Sequence, residues 1–525
     1  MTALERSAEV IDALIASGIE EFVCCGGSRN APLIAVLSER SVRIHSFFEE
    51  RSAAFFALGR ARSTGRAVAV LTTSGTAAAE LLPAAIEAHY SGVPLVLVTA
   101  DRPARYRGTG APQSIEQASL FGPYVQAAID LPETARLTLP AWCRTRPIHI
   151  NVALDEPLME GPIPSAAVGL PFPSASPRTE PPKEVSREIA AFLDSSAQPL
   201  IVAGEIAPRD RPAVQALLAA AGAPIYAEPL SGLREDPGLE HLLLRSGERI
   251  LTGSGFDAVL RIGGVPALRL WRDLEEGLKA IPVLSVSALP FSGIAHGEHL
   301  RTDLAELALP SRAGTPGELL ERDRAAAVRL EHLFERWLAS EPALVRRLSL
   351  AVPSSSLVYL GNSLPIREWD LTATRSRTWE IAASRGANGI DGQLSTFLGM
   401  VEEGRENWCL VGDLTALYDL SALWALRNVP DAPIRIAVIN NGGGRIFGRV
   451  PSLRRIDPAR REELIENPHQ ISLEPWAKMW DLPHHLWEGG ELPGTLPHRV
   501  VLEIRPDADQ SRQFWDDLDL QVEEG

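Results

Sequence analysis

Lysine is almost missing from this sequence: of 525 residues only Lys183, Lys279 and Lys478 are lysines, so 48 of the 51 cationic side chains are arginine. With 67 acidic residues the formal charge is −16, which argues against nucleic acid or an anionic lipid surface as a bulk partner. Cysteine is scarce too. Cys24, Cys25, Cys143 and Cys409 form no CxxC pair and no disulfide-like spacing, so a reducing, cytoplasmic location is expected. The longest apolar runs, Val93–Val98 and Ile436–Ile439, fall far short of the ~18 residues a membrane span needs. The polar start, Met1 to Arg6, has no signal-peptide core. No G-x-x-x-x-G-K-[ST] occurs, no G-x-G-x-x-G opens a helix after a strand, and the histidines include no HExxH. These gaps argue against kinase, ATPase, nicotinamide dehydrogenase and zinc hydrolase chemistry. The His484-His485 pair reads as local packing.

What is present has an ordinary globular balance, 45% hydrophobic and 22% charged, over a length that suits two to four domains. Short buried runs alternate with helical periodicity along the chain. Glu21–Cys25, Ala67–Leu71 and Pro94–Val98 are expected strands, with a helix from about Glu50 between the first two. The proline- and serine-rich stretch Leu170–Lys183 is the best linker candidate. Beyond it, Pro199–Gly204, Ala223–Ala227, Asp257–Gly264 and Val283–Val286 suggest a second α/β unit. Leu357–Leu360, Trp408–Val411, Ile434–Ile439 and Val500–Ile504 suggest a third. The expectation is three doubly wound, parallel-sheet α/β domains at 1–170, 185–340 and 341–525, with 171–184 as a linker.

Two loops draw attention. Gly412-Asp413 directly follows the run Trp408–Val411, and Asn441, within Asn440-Asn441-Gly442-Gly443-Gly444, directly follows Ile434–Ile439. Both lie at the carboxyl ends of expected strands, where open α/β sheets bind ligands. An aspartate, an amide oxygen and the carbonyl of Gly443 are hard oxygen donors suited to an octahedral divalent ion, Mg2+ or Mn2+, that also holds diphosphate oxygens. Either loop alone is more simply a plain strand-end turn, where Gly-Asp and Asn-Gly are favoured anyway; the pair, in this order, favours a metal–diphosphate site.

This Gly-Asp…Asn-Asn pattern resembles the metal motif of the thiamine diphosphate enzymes, although Gly-Asp-Leu stands where Gly-Asp-Gly is commoner. Further blocks narrow the resemblance: Gly27–Leu33, Glu50–Ala53, Thr73–Ala77, Thr99–Pro103, Arg107–Ala111, His149–Leu158, Gly361–Leu364 and Ser384–Thr396 occur in register. They look like the blocks of the 2-succinyl-5-enolpyruvyl-6-hydroxy-3-cyclohexene-1-carboxylate synthase family of menaquinone biosynthesis. The likeness covers both outer domains throughout and the middle one loosely.

The resemblance implies a pyrimidine-binding first domain, a largely architectural middle domain and a diphosphate- and metal-binding last domain. It implies decarboxylation of 2-oxoglutarate and 1,4-addition of the succinic-semialdehyde carbanion equivalent to isochorismate. Glu50 would be the catalytic acid toward the aminopyrimidine ring. Thr73, Ser74, Gly75, Thr76, Ile390, Gly412, Asp413, Asn441 and Gly443 would bind cofactor, with Asp413, Asn441 and Gly443 on the metal and Ile390 propping the coenzyme in a bent shape. Both substrates are dicarboxylates, which forked arginines suit. The matching positions are Arg29, Arg102, Arg367 and Arg385, with Ser28, Gln113 and Ser363 as neutral donors. A homodimer or dimer of dimers follows from the family's shared site. Gly26, Pro112 and Arg445 depart from the family pattern, and Arg445 would add charge near the diphosphate or the acceptor. Another thiamine diphosphate 2-oxoacid decarboxylase or synthase, or a non-catalytic relative of the fold, stays open at this point.

Overall fold

The computed structural model describes residues 1–252, 255–312, 317–492 and 494–523. They gather into two compact units: Met1–Pro177 with Ser384–Glu403 and Leu417–Asp431, and Arg178–Ala383 with Gly404–Ala416 and the chain from Ala432 onward.

The first unit is built on six strands, β1 (Glu21–Cys25), β2 (Arg43–Phe47), β3 (Val68–Thr72), β4 (Leu95–Asp101), β5 (Ala127–Leu131) and β6 (Ile148–Ala153). They lie in the order β2-β1-β3-β4-β6-β5, every pair parallel. Strands β3, β4 and β6 are buried at every position, whereas the edge strands β2 and β5 alternate with solvent. A parallel sheet covered on both faces needs apolar side chains at successive positions, which is why its inner strands read as unbroken runs. Strand β4 runs three residues past its expected end. Thr99 and Asp101 are polar yet fully buried, because partners inside the protein satisfy them, so polarity misplaced the boundary.

The first helix, Ala3–Ala16, opens on a reciprocal cap in which Thr2 and Glu5 satisfy each other's backbone N–H groups. Its buried face, including Leu4, Ile11 and Leu14, joins Phe22, Leu71 and Ile150 in one core. The linker expected at 171–184 does not begin as a free tether. Phe172 is buried against Trp142, and its N–H donates to Ser17 Oγ at 2.9 Å. The next helix, Pro182–Asp194, already includes the last of those residues.

The second unit holds two further parallel sheets. One comprises β7 (Pro199–Ala203), β8 (Ile225–Ala227), β9 (Ala258–Ile262), β10 (Val283–Ser287) and β11 (Glu298–Arg301), in the order β11-β10-β9-β7-β8. The other comprises β12 (Leu357–Leu360), β13 (Glu380–Ala382), β14 (Asn407–Gly412), β15 (Ile434–Ile439), β16 (His484–Trp487) and β17 (Arg499–Ile504), in the order β13-β12-β14-β15-β17-β16. This last order repeats that of the first sheet strand for strand. In each, the second strand lies on one side of the first, the third and fourth on the other, and the sixth comes before the fifth. Each therefore has a switch point between its first and third strands, and the crevice at their carboxyl ends is where such sheets take ligands. Among the described residues no helix is long and apolar enough to cross a membrane.

Candidate functional site

At the carboxyl edge of the first sheet, five loops converge on that switch point. After β1, Asn30 locks the turn: Gly27 N–H donates to its Oδ1 and its Nδ2 donates to the Cys25 carbonyl, both at 2.8 Å. Gly26, where the family pattern has proline, is thus followed by a turn held through a side chain. Gly27 lies against Thr73, after β3; a Cβ at position 27 would stand 2.6 Å from that threonine's Cβ. Ser28 is exposed on this turn. Arg29 reaches the end of β6, donating to the Leu154 carbonyl at 2.9 Å and pairing with Glu156 at 3.3 Å. Arg102 directly follows β4; its guanidinium lies 5.7 Å from the Tyr106 ring centroid and its Nε is buried without a partner.

After β2 come two adjacent glutamates with different surroundings. Glu49 caps the helix Glu50–Thr64, accepting from the Arg51 and Ser52 N–H groups at 3.0 and 3.1 Å and from Ser421 Oγ at 3.1 Å. Glu50 is partly buried and, among the described residues, its carboxyl makes no ion pair and no hydrogen bond to another residue. Burial, with the nearby Glu49 and Glu80 carboxylates, raises the Glu50 carboxyl above its ordinary range, so it keeps a proton more readily than a surface glutamate.

The turn Thr73–Thr76 rests on a buried polar network. Gly75 N–H donates to Gln117 Oε1 at 2.7 Å, and Gln117 Nε2 donates to Asn151 Oδ1 at 3.0 Å. Thr99 Oγ1 also donates to Asn151 Oδ1, and His149 Nε2 lies 2.7 Å from Thr99 Oγ1. The Asn151 Nδ2 donates to Asp101 and Asp130, both paired with Arg107. Thr99, Asp101, Gln117, His149 and Asn151 are all wholly buried. None of these five was singled out in the sequence as a functional residue. For Thr99, His149 and Asn151 the one local hint is a polar residue set among apolar strand residues, which tolerates burial only with partners; the sequence does not say which partners. Gln113 sits on the other side of the same turn with φ +56°, its Cα 3.1 Å from where a Cβ on Gly75 would be.

The segment carrying Arg385 and Ile390 belongs to the same unit and is clamped at both ends by buried carboxylates. Glu87 accepts from the Gly386 and Ala387 N–H groups at 2.8 and 2.7 Å. Asp419 accepts from Gly392 and Leu394 at 2.9 and 3.1 Å and lies 3.4 Å from Arg51. Burial pushes the Asp419 carboxyl up to about 6. The helix Gln393–Met400 then crosses the Glu50 helix at glycines: a Cβ on Gly59 would fall 2.0 Å from the Thr396 carbonyl oxygen. That crossing fixes the height of the helix whose first residue is Glu50.

In the second unit the carboxyl edge of the last sheet gathers the other predicted residues. Asp413, following β14, is buried; its Oδ2 accepts from the Gly442 and Gly443 N–H groups at 2.9 Å each, its Oδ1 accepts from Leu414 N–H at 2.6 Å, and His469 Nε2 lies 3.2 Å from Oδ2. Burial raises its carboxyl above the ordinary range, while the backbone amides and His469 pull the other way. Gly443 has φ +132°, and a Cβ there would lie 2.6 Å from the Glu466 carbonyl oxygen, so this loop admits only glycine. The two asparagines after β15 differ. Asn440 Nδ2 donates to the Ile471 carbonyl and to Glu503, both at 2.8 Å. Asn441 Nδ2 donates to Glu341, and its Oδ1 is buried with no hydrogen-bond partner.

A buried carboxylate, a donorless amide oxygen and a loop carbonyl are a donor set that an oxygen-seeking divalent cation fits. Ser363, with φ +74°, precedes the helix Leu364–Thr372, and Arg367 on that helix donates to the Ser363 carbonyl at 2.6 Å. Arg445, which departs from the family pattern, is paired with Glu466 and Glu462 at 3.2 and 3.3 Å. His484 packs locally, 2.9 Å from Glu503.

The model of the thiamine pyrophosphate enzyme N-terminal TPP binding domain matches residues 6–120. The chain is 43% identical to the 2-succinyl-5-enolpyruvyl-6-hydroxy-3-cyclohexene-1-carboxylate synthase of Bdellovibrio bacteriovorus over 99% of each chain. It is 38% identical to the protein of that name from Akkermansia muciniphila over 95% of each. For the Chloroflexus aurantiacus protein of the same name the identity is 34%, over 97% of this chain and 95% of the other.

Proposed function

The chain belongs to the 2-succinyl-5-enolpyruvyl-6-hydroxy-3-cyclohexene-1-carboxylate synthase family, and from that premise we propose its reaction. With thiamine diphosphate it decarboxylates 2-oxoglutarate and adds the four-carbon fragment in 1,4 fashion to isochorismate. The products are 2-succinyl-5-enolpyruvyl-6-hydroxy-3-cyclohexene-1-carboxylate and CO2, a step of menaquinone biosynthesis. The observation that carries the site assignment is the division of labour between neighbours: Glu49 caps its helix, and Glu50 is left unpaired with a raised proton affinity.

When bound, thiamine diphosphate supplies the nucleophilic carbon and the electron acceptor that let a 2-oxoacid lose CO2. Glu50 holds a proton and passes it to the ring nitrogen of the aminopyrimidine. Ile390, on the segment clamped by Glu87 and Asp419, would support the bound coenzyme, and a rigid support favours the proximity the reaction needs. The turn Thr73–Thr76 and Gly412 line the coenzyme. Asp413, Asn441 and the Gly443 carbonyl would hold Mg2+ or Mn2+ against the diphosphate. Arg29, Arg102, Arg367 and Arg385, with Ser28, Gln113 and Ser363, would fix the substrate carboxylates.

The working form is a homodimer or dimer of dimers, in which different copies contribute the two ends of the coenzyme site. Supporting this, two large aromatic side chains near Glu50 in the sequence or the fold are more than half exposed: Phe48 at 57%, edge-on to Trp424, and Tyr418 at 54%, under the Arg51 guanidinium. A cytoplasmic location accords with four cysteines that are all free thiols.

The test is mass detection of the adduct from 2-oxoglutarate and isochorismate with purified protein, Mg2+ and thiamine diphosphate. Pyruvate in place of 2-oxoglutarate should give none, and adduct from pyruvate alone would move the protein to another synthase. Glu50→Gln should abolish turnover with cofactor affinity mostly intact; a wild-type rate would overturn the role given to Glu50.

A further inference from the structure

Glu341 stands exactly one hundred residues before Asn441 in the chain, yet both of its carboxylate oxygens face the Asn441 amide, Oε2 at 2.9 Å and Oε1 at 3.2 Å from Nδ2. It lies at the start of the helix Glu341–Ala351 and is 4% exposed. Two contacts fix that helix start: Ser340 caps it and the Glu341 N–H donates to Ser511 Oγ at 2.9 Å; the N-terminal dipole also favours an anion there. A primary amide donates from its nitrogen and accepts at its oxygen, and both Glu341 oxygens lie within hydrogen-bond distance of the same Asn441 nitrogen. With Nδ2 turned to Glu341, Oδ1 faces away, where it is buried and partnerless.

We propose that Glu341 is a positioning residue for the metal site: by holding Asn441 Nδ2 it presents Asn441 Oδ1 to the divalent cation of the coenzyme. This rests on the reading of Asp413, Asn441 and Gly443 as the metal loop. It adds a residue that lies outside every motif block of the sequence. Groups that orient metal ligands typically change metal affinity by 10–100-fold when altered. Glutamine at this position has the same shape but offers an N–H that can bond Oδ1 and reverse the amide.

The test measures Mn2+ binding to the full-length protein with thiamine diphosphate, reading free Mn2+ by electron paramagnetic resonance. Glu341→Gln should weaken Mn2+ binding about tenfold or more while thermal stability without metal stays level or rises, because a buried ionisable group has been replaced by a neutral isostere. Glu368→Gln is the control. Glu368 is wholly buried, its carboxyl oxygens make no hydrogen bond among the described residues, and burial together with the Glu341 carboxyl raises it well above the ordinary range. It makes no hydrogen bond to Asn441, so Mn2+ affinity in this variant should stay within about twofold of wild type. Unchanged Mn2+ affinity in Glu341→Gln would overturn the proposal, as would an equal loss in both variants, which would mark a shared charge effect. Failure of the wild-type protein to bind Mn2+ would instead overturn the metal loop itself.

Discussion

Acidification should loosen the first unit through His149, by an amount that its surroundings define. The Thr99 hydroxyl has one proton and gives it to Asn151 Oδ1, so it must accept from His149 Nε2–H. That leaves Nδ1 unprotonated, buried and without a partner, in a ring packed edge-on against Phe121 at 4.6 Å. A second proton has nowhere to go, and burial pushes the imidazole down to about 3. In the unfolded chain the same histidine titrates near 6.5. A folded value below the unfolded one means that the stability is complete above pH 6.5 and drains away as the pH falls toward 3, because only the unfolded state takes up the proton. Between those limits each pH unit costs about 1.4 kcal/mol, so going from pH 7.5 to 5 removes about 2 kcal/mol through this one ring. His149→Gln lacks the titration. Urea unfolding of both proteins at the two pH values, followed by hydrogen exchange in peptides covering 68–76 and 148–153, should show wild type losing about 2 kcal/mol more than the variant. Parallel losses in the two proteins would refute the reasoning.

Other expectations test the frame around the site. Gly59→Ala places a methyl group 2.0 Å from the Thr396 carbonyl oxygen and should destabilise the first unit by about 1–3 kcal/mol despite alanine's better helix propensity, seen as a lower thermal midpoint. Gly443→Ala, at φ +132° and against the Glu466 carbonyl, should cost at least tenfold in Mn2+ affinity by titration while leaving the first unit's hydrogen exchange unchanged. Binding of Mg2+ with thiamine diphosphate should raise the thermal midpoint, and a chelator should return it to the starting value.

The parts of the molecule legible in the sequence were those that reuse a local rule. Unbroken apolar runs marked the inner strands, and Gly-Asp and Asn-Gly marked strand-end loops, so the three parallel sheets and the neighbourhoods of Asp413 and Asn441 could be expected. What stayed hidden depends on contacts between distant segments. Glu341 precedes Asn441 by a hundred positions in an otherwise ordinary helix start, and Glu87 and Asp419 look like surface acids until the backbone amides they accept from are seen. Strand β4 was cut short for the same reason, since nothing local says that Thr99 and Asp101 find partners on β6 and beyond. For Arg445 the charge was plain, but its partners Glu462 and Glu466 lie 17 and 21 residues further on and could not be read locally.

The matching strand orders of the first and last sheets mean that one wiring scheme supplies two ligand-facing rims in a single chain. The residues proposed for the reaction fall on those rims at different strands: Glu50 after the second strand of one sheet, Asp413 and Asn441 after the third and fourth strands of the other. The same scaffold can therefore offer different chemistry by changing which loop carries the polar groups, while the apolar strands beneath stay alike.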